Sequence, residues 1–187
     1  MFPSTSSPSP CPLRIIFIGN WSYRKGVDIL VKAWKALEGV ELIHVGSIGD
    51  APLPSCAGFM HYDPVDQAKL HKYYGMAHLF VLASREEGMA LVQAQALSCG
   101  LPLVCTDRTG GEDLQQYIDD PNMIQVVPSD DVESLVRAIK YLIPVTMAKK
   151  GRRELMKDKY SLSWKRVAVR YAEHLSVCIA SQSKSSI

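Results

Sequence analysis

Three short stretches of this sequence carry charged or glycine-rich residues in patterns that could bind an anion. The first is Gly19-Asn20-Trp21-Ser22-Tyr23-Arg24-Lys25-Gly26, where two adjacent cations precede a helical pattern. The positive end of a helix dipole ordinarily prefers acids. Arg24 and Lys25 placed there concentrate charge where a phosphate or diphosphate would bind. The plainer alternative is two solvated basic residues on a surface turn. The second stretch is Ala83-Ser84-Arg85-Glu86-Glu87-Gly88-Met89-Ala90. Gly88 lets backbone approach a ligand closely. The amides of Gly88, Met89, Ala90 and Leu91, at the head of a helix expected over 88–99, lack intrahelical partners and suit phosphate oxygens. Glu87 and Gln95 stand about 12 Å apart on eight helical rises, roughly the span from a sugar across a diphosphate to a ribose. The alternative is a Glu87 that only complements the dipole and a Gln95 on a solvated face. The third stretch, Asp107 to Asp113, reads as a turn with an acidic first helical turn. Thr109 and Gly110 are left open as a cap on the same pocket.

Those stretches need a scaffold, and the apolar pattern supplies one. Short β-branched runs at 13–19, 41–46, 58–62, 78–82, 102–106 and 123–127 read as buried strands. Amphipathic stretches at 25–37, 65–74, 88–99, 112–118 and 132–142 read as helices between and after them. Ser129 and Asp130 are expected to cap the last of these. Two further helices are expected over about 145–159 and 161–181. The alternation predicts an α/β fold, a Rossmann-like doubly wound parallel sheet of about six strands with C-terminal helices. Ligands bind such sheets beyond the carboxyl ends of the strands, which is where all three stretches fall.

Composition narrows the classes. The chain has 187 residues and a net charge of only +2, so no nucleic-acid partner is expected. A peripheral membrane contact stays open. The basic cluster Lys149, Lys150, Arg152 and Arg153 reads as a solvated helix face. The number of cysteines, 5, is odd and no CxxC pair occurs, which fits reduced thiols in the cytoplasm. No apolar run reaches the roughly 18 residues of a membrane span. Residues 1–12, rich in Ser and Pro, read as a disordered lead-in or linker without a signal-peptide core. The domain itself is expected over 13–183, with a short tail at 184–187.

Taken together, the motifs resemble the retaining family-4 glycosyltransferases. Arg24-Lys25-Gly26-Val27 resembles that family's Lys-Gly segment, and Glu87-Gly88-Met89-Ala90-Leu91-Val92 its Glu-Gly-Phe-Gly-Leu segment. Gln95-Ala96-Leu97-Ser98-Cys99-Gly100-Leu101-Pro102 resembles Glu-Ala-Met-Ala-Cys-Gly-Leu-Pro. Ser161 to Trp164 resembles the start of its terminal helix. The resemblance implies the GT-B architecture, two Rossmann-like domains flanking a cleft, with this chain as the C-terminal, donor-binding one. It implies retaining hexosyl transfer from a nucleoside diphosphate sugar, with no cofactor and no metal. On matching positions, Arg24 and Lys25 neutralise the diphosphate and Glu87 binds sugar hydroxyls. Backbone at Gly88, Met89, Ala90 and Leu91 holds oxygens, Gln95 meets the ribose, and Gly19 and Ser84 complete the donor pocket.

Departures from the pattern matter. Gln95 replaces the family's second Glu, so a charge-assisted hydrogen bond to ribose is lost, at about 1–2 kcal/mol. Asn20 stands where many members carry Arg, and Ala90 replaces a glycine. None of the histidines matches the acceptor-domain residue that faces the donor sugar; His44 and His78 read as core or strand-end residues. An acceptor half, as a separate subunit or a missing part of a longer protein, is therefore expected as a partner. A non-catalytic nucleotide-sugar-binding module is the alternative. A dinucleotide-dependent oxidoreductase is disfavoured because no GxGxxG follows the first strand.

Overall fold

The computed structural model describes residues 12–88 and 90–148. The lead-in at 1–11, the basic cluster, the expected helix over 161–181 and the tail lie outside the described residues. Six strands form one parallel sheet: β1 (Leu13–Ile18), β2 (Val40–Val45), β3 (Phe59–Tyr62), β4 (Leu79–Leu82), β5 (Leu103–Thr106) and β6 (Ile124–Val127). Their order is β3-β2-β1-β4-β5-β6. Central strands read as unbroken apolar runs because helices cover both faces, and Ile15, Ile16, Leu79, Phe80, Leu103 and Val104 are fully buried. The doubly wound fold expected from the sequence is the one observed.

The helices are α1 (Val27–Lys35), α2 (Leu70–Tyr74), α3 (Leu91–Ser98), α4 (Gly111–Leu114) and α5 (Val132–Ala148). Several boundaries differ from expectation, with local causes. Arg24 and Lys25 do not open α1. They lie in a separate 3-10 turn, Tyr23–Lys25, that Gly26 ends at φ 64°, and Asp28 fills the first turn of α1 instead. The helix expected over 65–74 splits into a 3-10 turn and α2, and the one over 112–118 into α4 and a 3-10 turn. α3 starts at Leu91 rather than Gly88, because the Arg85 and Glu87 amides donate to the Arg24 and Arg108 carbonyls and hold the chain off the helical path. α5 is not capped by Ser129 or Asp130. Asp131 caps it, accepting from the Ser134 amide at 2.9 Å, while Asp130 takes a left-handed φ of 62°. α5 also continues past Leu142 through the exposed Pro144, so the helix break expected near 145 is absent.

Two glycines set the carboxyl edge of the sheet. At Gly26 an added Cβ would come 1.9 Å from the Ala83 carbonyl oxygen, and at Gly46, φ 150°, 2.0 Å from that of Gly19. Both contacts are backbone against backbone, so a methyl there displaces a strand end. Gly46→Ala is expected to lower stability by on the order of 3 kcal/mol, seen as an earlier urea midpoint. Gly39→Ala should cost only about 1 kcal/mol, because its φ of 68° is strained for alanine but nothing lies within 4 Å.

Candidate functional site

Sheet order reverses between β1 and β4, which lie side by side. In such sheets the crevice beyond that reversal is the ligand site. The loops that flank it are 19–26 and 83–90, two of the stretches singled out by residue type.

The structure joins these loops through backbone and charge. The Arg85 amide donates to the Arg24 carbonyl at 3.0 Å. Lys25 Nζ is ion-paired with Glu87 Oε2, and Arg24 Nη1 lies 3.8 Å from the same oxygen. Arg24 Nη1 also donates to the Glu86 carbonyl at 3.0 Å. Burial, and then the charge of Arg24, hold the Lys25 pKa below that of a free lysine. The Lys25 and Glu87 side chains are mostly buried (14% and 19% exposed), whereas Arg24 is 54% exposed. Beside them an open cavity of about 480 Å³ is lined by Arg85, Glu86, Glu87, Asp107, Arg108 and Gly110.

Arg85, quoted in the loop but given no role by sequence, is the fastener. It makes a bidentate pair with Asp28 at 2.7 and 2.9 Å, and its Nε donates to Asp130 Oδ1 at 2.7 Å. It also donates to the Tyr23 carbonyl. The hydrogen bonds to Asp28 pull the Arg85 pKa up and that of Asp28 down. One guanidinium thus locks the 3-10 turn, α1 and the residues before α5 to the loop after β4.

The remaining expected site residues fall unevenly. Gly88 is exposed with open space over its Cα, and Leu91 is 46% exposed. Ala90 is buried as the residue before α3, and Met89 lies outside the described residues. With the helix starting at Leu91, the unpaired amides of its first turn begin about three residues later than expected. The 12 Å separation of Glu87 and Gln95 also no longer holds, because only the last four of its eight rises are helical. Gln95 is half-buried, and its Oε1 accepts from the Tyr74 hydroxyl at 3.2 Å. The Tyr74 hydroxyl has one proton, shared between this oxygen and the Val92 carbonyl at 3.0 Å. Gly19 is held by its carbonyl, which accepts from His44 Nε2 at 2.9 Å. Ser84 is fully buried at the end of β4.

His44 and His61 form a pair that sequence reasoning missed, apart from placing His44 in the core. His44 Nε2 must carry a proton to reach Gly19, so its Nδ1 is an acceptor. The proton between the two Nδ1 atoms, 2.9 Å apart, therefore belongs to His61. His61 Nε2 then points to Asp63 Oδ1 at 3.6 Å. His78 is a strand-end residue as expected, its Nδ1 accepting from the Arg14 amide at 3.1 Å. Among the described residues, the buried side-chain polar atoms without a hydrogen-bond partner are Ser22 Oγ, His61 Nε2, Ser84 Oγ and Gln93 Oε1. All of them lie at or beyond the carboxyl ends of β1, β3 and β4.

A six-stranded parallel sheet in this order, with charged loops at its switch point, is a Rossmann-like α/β domain. The chain belongs to the family described as glycosyl transferases group 1, which matches residues 12–144. It is 31% identical over 110 residues to a D-inositol 3-phosphate glycosyltransferase of Xylanimonas cellulosilytica, covering 52% of this chain and 26% of the relative. It is 27% identical over 171 residues to a glycogen synthase of Thermodesulfovibrio yellowstonii, covering 85% of this chain and 34% of the relative. The chain therefore spans about a third or less of the curated relatives it matches. Among solved structures, sucrose-phosphate synthase from Thermosynechococcus elongatus superposes with a TM-score of 0.69 at 22% identity, over 91% of this chain and 46% of that one. The catalytic domain of cholesterol-alpha-glucosyltransferase from Helicobacter pylori superposes with a TM-score of 0.61 at 19% identity, over 74% of this chain and 90% of that one. At those identities the likeness concerns the fold. Among the described residues, no helix is long and apolar enough to cross a membrane.

The histidine pair gives the site a pH signature. Burial lowers the His44 pKa from 6.5 to about 4, outweighing the Gly19 hydrogen bond, which acts the other way. His44 is neutral when folded, whereas the unfolded chain takes up a proton below 6.5. Stability present above that pH is lost as pH falls towards 4. Urea titrations should show a decline of roughly 3 kcal/mol across this window. The slope should flatten in His44→Gln, whatever that variant's absolute stability.

Proposed function

We propose that this chain is the donor-binding part of a retaining family-4 glycosyltransferase, acting on a nucleoside diphosphate sugar. The observation that carries this reading is the meeting of Arg24 and Lys25 with Glu87 across the crevice between β1 and β4. A diphosphate carries more charge than one carboxylate. On binding it takes over Lys25 and Arg24, and so stabilises the leaving group as the bond to the sugar breaks. Its charge also offsets that of Arg24, which, after burial, lowers the Lys25 pKa. Glu87, released from Lys25, is then available to accept from the hydroxyls of the transferred hexose. The backbone from Gly88 to Leu91 supplies donors to phosphate and sugar oxygens. Gln95, its carbonyl engaged by Tyr74, donates to a ribose hydroxyl.

The reaction needs no metal in this scheme, because Arg24, Lys25 and the amides after Gly88 offset the diphosphate charge. An acceptor half, as a further part of the protein or a separate subunit, closes the crevice and holds the sugar's destination. We place the protein in the cytoplasm, in line with the free thiols of Cys56, Cys99 and Cys105. The fixed amide at Gln95 favours one competing reading, a module that binds nucleotide sugars without transferring them. Sugar transfer by this chain together with an acceptor half decides between the two.

Calorimetry with UDP, GDP and ADP and their glucose conjugates should detect binding of at least one pair. Arg24→Ala and Lys25→Ala should each weaken it about tenfold, the loss of one charge-assisted contact of about 1.4 kcal/mol. Binding to none of these ligands, or binding indifferent to both substitutions, would refute the assignment.

A further inference from the structure

The loop that carries Glu87 and Gly88 is tied to a single turn at both of its ends. At the start, the Glu87 amide donates to the Arg108 carbonyl at 3.1 Å. At the finish, Gln93 Nε2, in the first turn of α3, donates to the Thr109 carbonyl at 2.7 Å. Gly88 and Ala90 lie between these anchors in non-helical backbone, next to Glu87, which lines the open cavity.

Gln93 is 0% exposed, and its Oε1 has no hydrogen-bond partner. A buried amide with an unmet acceptor costs stability. A leucine of similar volume would avoid that cost, so the bond to Thr109 is what the amide contributes. That bond belongs to a buried polar chain. The Thr109 hydroxyl donates to the Thr106 carbonyl at 2.7 Å, and the Thr106 hydroxyl to the Ser84 carbonyl at 2.5 Å. Ser84, Gln93, Thr106 and Thr109 are all at most 2% exposed. Gln93 therefore reaches no ligand itself. It fixes a turn whose other members, Arg108 and Gly110, line the cavity with Glu87.

We propose that Gln93 is a positioning residue for the sugar end of the crevice: its amide fixes the turn at 107–110, and that turn holds the backbone of Glu87. This rests on the donor-site reading above. Arg24 and Lys25, which hold the nucleotide end, are set on the other loop by the Gly26 and Arg85 contacts and not by this turn. Gln93 thus bears more on the affinity that the sugar adds than on the affinity of the diphosphate itself.

The test compares the full chain with Gln93→Leu, using the same nucleoside diphosphates with and without glucose, together with amide hydrogen exchange. The leucine variant should lose about fivefold or more on the glucose conjugate beyond whatever it loses on the bare diphosphate. Exchange should rise at 87–92 and 106–110 while β1 and β4 stay protected. Equal losses on both ligands, or unchanged exchange across 87–92, would overturn the proposal. An unsubstituted chain that binds none of the ligands would sink the donor-site reading alone, because exchange still decides the clamp. If the leucine variant does not fold, Gln93→Glu takes its place. A protonated carboxyl can donate to the Thr109 carbonyl and an ionised one cannot. Exchange of the turn, relative to the unsubstituted chain at each pH, should then rise with pH, and a flat ratio would count against the clamp.

Discussion

Gly26 rests against the carbonyl of Ala83 with no room for a methyl group, and the rest of the crevice depends on that contact. It brings the loop after β1 down onto the loop after β4 at the point where the sheet reverses its order. A side chain larger than hydrogen would wedge the loops apart by a bond length or more. The Arg85 amide could then no longer reach the Arg24 carbonyl, and Lys25 could no longer reach Glu87. The charged site is thus a consequence of backbone packing, made possible by one residue that tolerates a φ of 64°.

Charge is arranged around this contact in two tiers. Arg85 is spent on structure, since its donors go to Asp28, Asp130 and the Tyr23 carbonyl. Asp28 also puts an acid in the first turn of α1, where the helix dipole favours one. Arg24 and Lys25 share a single carboxylate, Glu87, and so leave one positive charge unmatched between them. An excess of cations over a partly buried carboxylate is an unstable balance that a polyanion improves. The Arg85 cluster has the opposite balance, one cation against the carboxylates of Asp28 and Asp130.

Beneath the charged layer lies a neutral one. Gln93, Thr109, Thr106 and Ser84 link α3 to β5 and β4 by hydrogen bonds closed to solvent. On the other side of β1, His44 and His61 link β2 and β3 to the Gly19 carbonyl, with Phe17 stacked on His44 at 5.6 Å and Trp21 tilted against it at 4.8 Å. Such networks work at low dielectric, where a satisfied hydrogen bond is strong and a lost one expensive. They give the loops fixed shapes that their sparse side-chain packing could not.

The sequence by itself determined the strands, because fully buried strands leave unbroken apolar runs such as Leu13–Ile18 and Leu79–Leu82. It also singled out the loops after β1 and β4, which the structure brings together, because glycines, cations and acids at strand ends are local signals. Helix starts were read less well. At Lys25 the left-handed φ of 64° at Gly26 ends the turn, and past Gly88 the chain stays non-helical as far as Ala90, which caps α3 in extended backbone at φ −74° and ψ 111°. The Asp130–Asp131 choice likewise turned on Arg85, which draws Asp130 away and leaves the cap to Asp131. Only the tertiary structure decided that Lys25 meets Glu87, 62 residues away, that Arg85 is a fastener, and that Gln93 is buried in a polar seam. Such pairings exist only once β1 lies beside β4, and strand order is a property of the packed sheet that no local pattern encodes.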